Sequence, residues 1–153
     1  MKGLDILNSI IGKNAATDST NNGSQESKNS SISVLVVDDD ELTRKLIQRL
    51  LEREFDVQVT MLSNGLEGLE YAQEHKPDLI ILDLMLPGMN GFEFLKKLRK
   101  DDLLKNTKVI LVSAKSRSED IERGFDLTAD EYITKPFQPK EFVVRVRRLI
   151  EQD

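Results

Sequence analysis

Four groups of side chains in this sequence have the chemistry to handle a metal ion and a phosphoryl group. They are the carboxylates Asp38, Asp39 and Asp40 in SVLVVDDDEL, the carboxylate of Asp83 in IILDLMLPG, the hydroxyl of Ser113 in ILVSAK and the ammonium of Lys135 in YITKPF. Each taken singly has a bland account. Asp40 could cap a helix starting near Glu41, Asp83 could open the turn Leu84 to Gly88, and Lys135 could be a surface lysine. Together they point elsewhere. Carboxylates brought together from two strand ends repel one another unless a cation sits among them, and an all-oxygen ligand set without His or Cys suits a hard ion such as Mg²⁺. Mg²⁺ held by few protein carboxylates keeps water positions that phosphoryl oxygens can take. Asp83 can then act as a nucleophile and form an aspartyl phosphate. Such transfer needs mainly positioning and charge neutralisation, which Lys135 and Ser113 supply as cation and hydroxyl donor.

These groups meet only if the elements before them place them on one rim. Apolar strands are predicted at Ile32 to Val37, Val57 to Leu62, Asp78 to Asp83, Val109 to Ser113 and Tyr132 to Thr134. Helical periods fall between and after them: Leu42, Leu46 and Leu50 with Ile47 and Leu51; Leu66, Leu69 and Ala72; Phe92, Leu95 and Leu98; Ile121 and Phe125; Phe142, Val146 and Leu149 with Val143 and Ile150. Strands apolar on both faces that alternate with helices predict an α/β, doubly wound fold, a parallel sheet covered on both sides. In such sheets ligands bind beyond the carboxyl ends of the strands. Asp38, Asp39, Asp40, Asp83 and Ser113 all stand at such ends, and the fifth strand leads into Lys135.

The totals exclude several alternatives. The chain has 153 residues, 39% of them hydrophobic, enough for one cored domain with a remainder. With no cysteine and a single histidine, His75, it has no disulfide framework, thiol nucleophile or zinc ligand cluster, and a reducing cytoplasm is the expected location. No apolar run approaches a membrane span, and no secretory signal pattern is present. The net charge of -5 falls outside the first 31 residues, where Lys2, Lys13 and Lys28 balance Asp5, Asp18 and Glu26. An acidic domain with no basic stripe is a poor candidate for direct nucleic-acid binding. Gly12 to Ser31 has only Ala15 and Ala16 as apolar side chains and reads as a disordered linker, so residues 1–31 form an extension before a domain spanning 32–153. Within the extension, Leu4, Leu7 and Ile11, with Ile6 and Ile10 alongside, suit a short amphipathic helix at 4–11.

The four segments VLVVDDDE, IILDLMLPGMNGFE, ILVSAK and DEYITKPF, about 45, 30 and 20 residues apart, resemble the receiver domain of two-component response regulators from about Ile32 to Glu151. The resemblance implies a flavodoxin-like, CheY-like (βα)5 fold with strand order 2-1-3-4-5. It implies Asp83 as phosphoacceptor, Asp39 as a direct Mg²⁺ ligand, Asp38 as a ligand mainly through water, and the backbone carbonyl of Met85 completing the metal shell. Lys135, joined to Pro136 by a cis bond, pairs with carboxylate or phosphoryl group. Ser113 bonds a phosphoryl oxygen, and Tyr132 swings from exposed to buried as it does so. The expected role is a phosphoacceptor switch, not an enzyme, that assists its own phosphorylation and dephosphorylation. Its expected partners are a histidine kinase or histidine phosphotransfer protein and a downstream protein at the fourth helix, fifth strand and fifth helix; Thr43 and Arg44 stand where family members meet their kinase or phosphatase, and a solvated helix face accounts for them equally well. A monomer or a phosphorylation-dependent dimer is implied, in a stand-alone receiver or the receiver part of a longer regulator. Met85 and Lys115 occupy positions that tune phosphoryl lifetime in this family.

Two positions depart from the family pattern. Thr128 stands where glycine is usual, and a β-branched residue suits a left-handed helix end poorly, so a different local backbone is expected. Ile121 replaces a basic residue common in regulators that dimerise, although Glu131, Glu141 and Arg145 fit their charged pattern; Ile121, Phe125 and Val144 could instead form an apolar docking patch. A haloacid-dehalogenase-type phosphatase would use Asp38 and Asp40 as its D-x-D pair but lacks the following Gly-Thr and the late acidic motif. A flavin-binding module would need a glycine- and hydroxyl-rich loop where this chain is acidic.

Overall fold

The computed structural model describes residues 31–152. The linker up to Ser30 and the amphipathic helix expected at 4–11 lie outside the described residues. The described elements alternate as expected: β1 (Ile32–Val37), α1 (Glu41–Glu54), β2 (Val57–Leu62), α2 (Gly65–His75), β3 (Leu79–Leu82), α3 (Gly91–Lys100), β4 (Lys108–Ser113), α4 (Ser118–Asp126), β5 (Glu131–Thr134) and α5 (Pro139–Ile150). The five strands pair in parallel in the order β2-β1-β3-β4-β5. This is the doubly wound order with its switch point between β1 and β3.

Successive side chains along each strand serve opposite layers. Leu35, Val37, Ile80, Leu82, Leu111 and Tyr132 pack with Leu69, Ala72, Phe94, Leu95 and Leu98 of α2 and α3. Val34, Val36, Leu79, Ile81, Ile110 and Ile133 pack with Ile47, Leu50 and Leu51 of α1 and Phe142, Val146 and Leu149 of α5. The continuous apolar runs in the sequence are therefore two interleaved half-cores.

The helical periods are broader in sequence than in burial. On α1 the buried stripe is Ile47, Leu50 and Leu51, while Leu42 and Leu46 are exposed; on α2, Leu66 is exposed beside buried Leu69 and Ala72. Leu42 and Leu66 stand in the first turns, ahead of the part of each helix that crosses the sheet. Asn64 and Asn90 cap α2 and α3 by accepting from the N–H groups of Glu67 and Glu93 at 2.8 and 2.9 Å.

Thr128 does adopt the left-handed backbone usual for glycine, with φ of 67°, contrary to the expectation of a different geometry there. The compensation comes from α3. Arg99 Nε donates to Thr128 Oγ1 at 2.7 Å and its Nη2 to the Thr128 carbonyl at 2.9 Å, while the Thr128 hydroxyl donates to the Leu127 carbonyl. Nη1 of the same guanidinium bonds the carbonyls of Lys105 and Thr107. Specific bonding to the hydroxyl offsets a conformational cost of about 1–2 kcal/mol for an L-residue.

Candidate functional site

The acidic rim is built by extending the ladder one residue past each strand. Asp38 N–H donates to the Leu62 carbonyl at 3.1 Å, Asp83 N–H to the Val37 carbonyl at 3.0 Å, and Lys135 N–H to the Ser113 carbonyl at 2.9 Å. These bonds fix the three side chains over the carboxyl edge of the sheet. Gly91 belongs to the same construction: a Cβ there would stand 2.6 Å from the Asp83 carbonyl oxygen, so only glycine lets α3 approach the strand end so closely.

Lys135 Nζ lies 2.9 Å from Asp38 Oδ2 and 3.0 Å from Asp83 Oδ2. Both carboxylates are buried, with 2% and 5% exposure. Asp38 Oδ1 accepts from the Asp40 N–H at 2.9 Å and Asp83 Oδ1 from the Met85 N–H at 3.0 Å. Burial pushes the Asp38 carboxyl above its ordinary value, and the charge of Asp83 adds to this, against the bonds from Lys135 and the Asp40 N–H. Burial alone would lower the Lys135 ammonium, but its bonds to Asp38 and Asp83 outweigh it and the group is held above its ordinary value. The site thus holds a half-buried cation bridging two buried carboxyl groups.

Asp39 is exposed at the same rim, and carboxylate oxygens of Asp38, Asp39 and Asp83 lie within 4.8 Å of one another. Three carboxylates so close form an oxygen-only donor set that fits a hard divalent cation. Asp40 has a different role. Its side chain caps α1, accepting from the Thr43 N–H at 3.1 Å and from the Thr43 hydroxyl, whose bond, with the Thr43 N–H second to it, holds the carboxyl below its ordinary value. The bland account of Asp40 as a helix cap is correct, and the same bonds remove it from a phosphatase-like D-x-D pair.

Ser113 is fully buried, and its Oγ accepts from the Lys115 N–H at 3.2 Å. Tyr132 points inward at 6% exposure, with its hydroxyl donating to the Lys115 carbonyl at 2.7 Å. The exposed position expected before modification is therefore not the one seen. Burial pushes the Tyr132 phenol up to about 12, with the charges of Asp120 and Asp83 adding to the shift. Gly124 makes room for this ring: a Cβ there would meet Leu111 Cδ1 at 2.8 Å and Tyr132 Cδ2 at 3.1 Å. The Lys135–Pro136 bond is cis, as the resemblance implies. Met85, beside Asp83, is exposed.

Thr43, Leu46, Ala114, Lys135, Pro136 and Phe137 line a groove next to the rim. On the α4–β5–α5 face, Phe125 and Val144 are exposed while Ile121 is half-buried. Glu131 is buried and paired with Arg145 at 2.8 Å and with Arg148, and Arg145 also reaches Glu141 at 3.0 Å. The charged pattern read from the sequence is thus occupied within the chain. Two contacts escaped the sequence reading: the Arg44 guanidinium donates to the Asp38 carbonyl at 2.7 Å, and Arg99 anchors Thr128. The position of Arg44 one turn beyond the Asp40 cap was the available signal for the first.

Comparison with known protein families matches residues 34–147 to the response regulator receiver domain. The chain belongs to this family. The transcriptional regulatory protein SrrA of Staphylococcus aureus is 41% identical over 119 residues, covering 78% of this chain and 48% of SrrA. The chain spans about half the length of the curated relatives it matches. Among solved structures, a Francisella response regulator receiver domain is 34% identical with a TM-score of 0.73, covering 79% of this chain and 98% of that one. The Mn²⁺-bound form of response regulator Rcp1 is 25% identical with a TM-score of 0.69, over 80% of this chain and 96% of that one. The fold is therefore that of CheY-like receivers, and a phosphoacceptor switch is the role the family implies. Among the described residues no helix is long and apolar enough to cross a membrane.

Proposed function

We propose that Asp83 accepts a phosphoryl group from a histidine kinase or histidine phosphotransfer protein. The observation that carries this reading is the pair of buried carboxylates from adjacent strand ends, Asp38 and Asp83, bridged by Lys135 Nζ at 2.9 and 3.0 Å. A carboxylate oxygen of Asp83 forms the new P–O bond as the P–N bond of phosphohistidine breaks. Lys135 neutralises charge on the incoming oxygens, and Ser113 supplies a hydroxyl to one of them. Asp39, Asp83 and the Met85 carbonyl would hold Mg²⁺ directly, with Asp38 acting mainly through water; the bound ion supplies neutralisation of phosphoryl charge. The three clustered carboxylates and the Mn²⁺-bound relative support a divalent cation here. The same groups would assist hydrolysis of the aspartyl phosphate, which makes the chain a self-assisted switch.

Engagement of Ser113 would alter its bond with Lys115, whose carbonyl holds Tyr132, and so reach the α4–β5–α5 surface. A downstream protein would bind there, against Phe125 and Val144, and the groove beside Thr43 and Phe137 would receive the phosphodonor. The acidic balance supports protein partners, and membership of the receiver family supports a cytoplasmic site of action; the relatives named as transcriptional regulators support an output directed at gene control.

Intact mass after treatment with acetyl phosphate tests the assignment. One phosphoryl group gained in the presence of Mg²⁺, labile to hydroxylamine and absent in Asp83→Asn, is expected. Stable modification of the Asp83→Asn protein at another residue overturns it.

A further inference from the structure

We infer that Arg44 is a positioning residue for the metal site, a role that rests on the assignment of Asp39 as a metal ligand. Its Nη1 donates to the backbone carbonyl of Asp38 at 2.7 Å. That carbonyl belongs to the peptide plane joining Asp38 to Asp39, so holding its oxygen fixes the direction from which the Asp39 backbone departs. The rest of the turn is anchored at other points: Asp38 N–H on Leu62, Asp38 Oδ1 on the Asp40 N–H, and Asp40 Oδ2 on Thr43. Asp39 is the exposed member of the carboxylate cluster. Arg44 supplies the anchor on its own peptide group, from one turn along α1.

The atom chosen matters as much as the distance. A guanidinium bound to one of the clustered carboxylates would compete with a cation for the same lone pairs. Here the bond goes to a main-chain oxygen, and the carboxylate oxygens stay directed at the cluster. A charge-assisted bond to a carbonyl is also stronger than a neutral one, which suits a support for a metal ligand.

Geometry and charge predict opposite results when this cation is removed. Simple repulsion between Arg44 and a metal ion would make binding tighter in a variant lacking the charge. Loss of the positioning bond makes it weaker, and because Arg44 is only partly buried, solvent and salt screen the repulsion. Positioning is the larger effect.

The test is direct Mg²⁺ titration of the full chain, read by calorimetry and by the amide resonances of Asp38, Asp39 and Met85. Arg44→Met keeps the aliphatic stem and removes the donors; its dissociation constant is expected to rise about tenfold, the lower end of the range for supports of metal ligands. Arg44→Lys restores a donor and is expected to stay within about threefold of the unaltered protein. The amide shifts of Asp39 should move in Arg44→Met even without Mg²⁺, which a role confined to partner docking would not produce. Unchanged or tighter Mg²⁺ binding by Arg44→Met overturns the inference, as does a tenfold loss in Arg44→Lys, which also decides the matter if Arg44→Met does not fold. Failure of the unaltered protein to bind Mg²⁺ at millimolar concentration overturns instead the metal assignment on which it rests.

Discussion

Replacing Lys135 by methionine removes the ammonium that bridges two buried carboxylates and leaves the aliphatic volume nearly unchanged. Breaking a buried ion pair by deleting one partner costs about 3–5 kcal/mol, because the remaining charge stays desolvated. Here two carboxylates lose the same partner, but the lysine side chain is 21% exposed, so water can partly replace it and the lower figure applies, about 3 kcal/mol. For a urea dependence of about 1.5 kcal/mol per molar, the unfolding midpoint at pH 7 should fall by about 2 M. The pH dependence has a definite sign. The Asp38 carboxyl already sits above its ordinary value in the folded protein, and loss of the Lys135 bond raises it further. A group whose folded value is raised contributes stability below its unfolded value and loses it as pH rises through the folded one. The deficit of Lys135→Met should therefore be largest near neutrality and shrink on acidification. Asp38→Asn in the same chain should recover most of it by removing one unpaired charge. Urea unfolding followed by far-ultraviolet circular dichroism at several pH values measures all three quantities. A midpoint within about 0.5 M of the unaltered protein at pH 7, or a deficit that grows as pH falls, would refute this account of the site.

Gly124→Ala should crowd Leu111 and Tyr132 and drive the tyrosine outward. In a Tyr71→Phe background, alkaline difference spectroscopy should show the Tyr132 phenol falling from about 12 toward its ordinary 10. In the unaltered protein the same raised value means that stability present below pH 10 is lost as pH rises toward 12; an unshifted phenol in the alanine variant would contradict the packing described. Thr128→Val keeps the left-handed backbone but removes the hydroxyl bonded to Arg99, and should cost about 2 kcal/mol in denaturant unfolding. Thr128→Gly loses that bond too but also relieves the backbone cost, so its stability should stay within about 1 kcal/mol of the parent; an unchanged Thr128→Val would show that the hydroxyl carries none of the compensation, and equal losses in both variants that the left-handed backbone carries no cost to offset.

Much of the fold is written in local pattern. Apolar runs of strand length ending in aspartate, serine or a Lys-Pro pair, separated by helical periods, determine an alternating α/β chain and place Asp38, Asp83, Ser113 and Lys135 on one rim, because in a parallel sheet every strand ends on the same side. The run of three aspartates did not by itself divide its duties. Tertiary structure assigns Asp40 to the α1 cap and brings Asp38 and Asp39 toward Asp83, 45 residues later in the chain.

Other features depend on partners that no local window contains. Thr128 reads as a misfit for a left-handed turn until Arg99, 29 residues earlier, is brought against its hydroxyl. Leu42 and Leu46 share the helical period of Leu50, yet the part of α1 that crosses the sheet buries Ile47, Leu50 and Leu51 instead. Tyr132 is expected to be exposed before modification, yet it is seated inward, in the space left by Gly124 and bonded to the carbonyl of Lys115. Periodicity records which face of an element is apolar. Which groups meet across elements, and hence which carboxylate is a cap, which a cluster member and which carbonyl Arg44 holds, is decided only when strand order and helix packing bring distant segments within bonding distance.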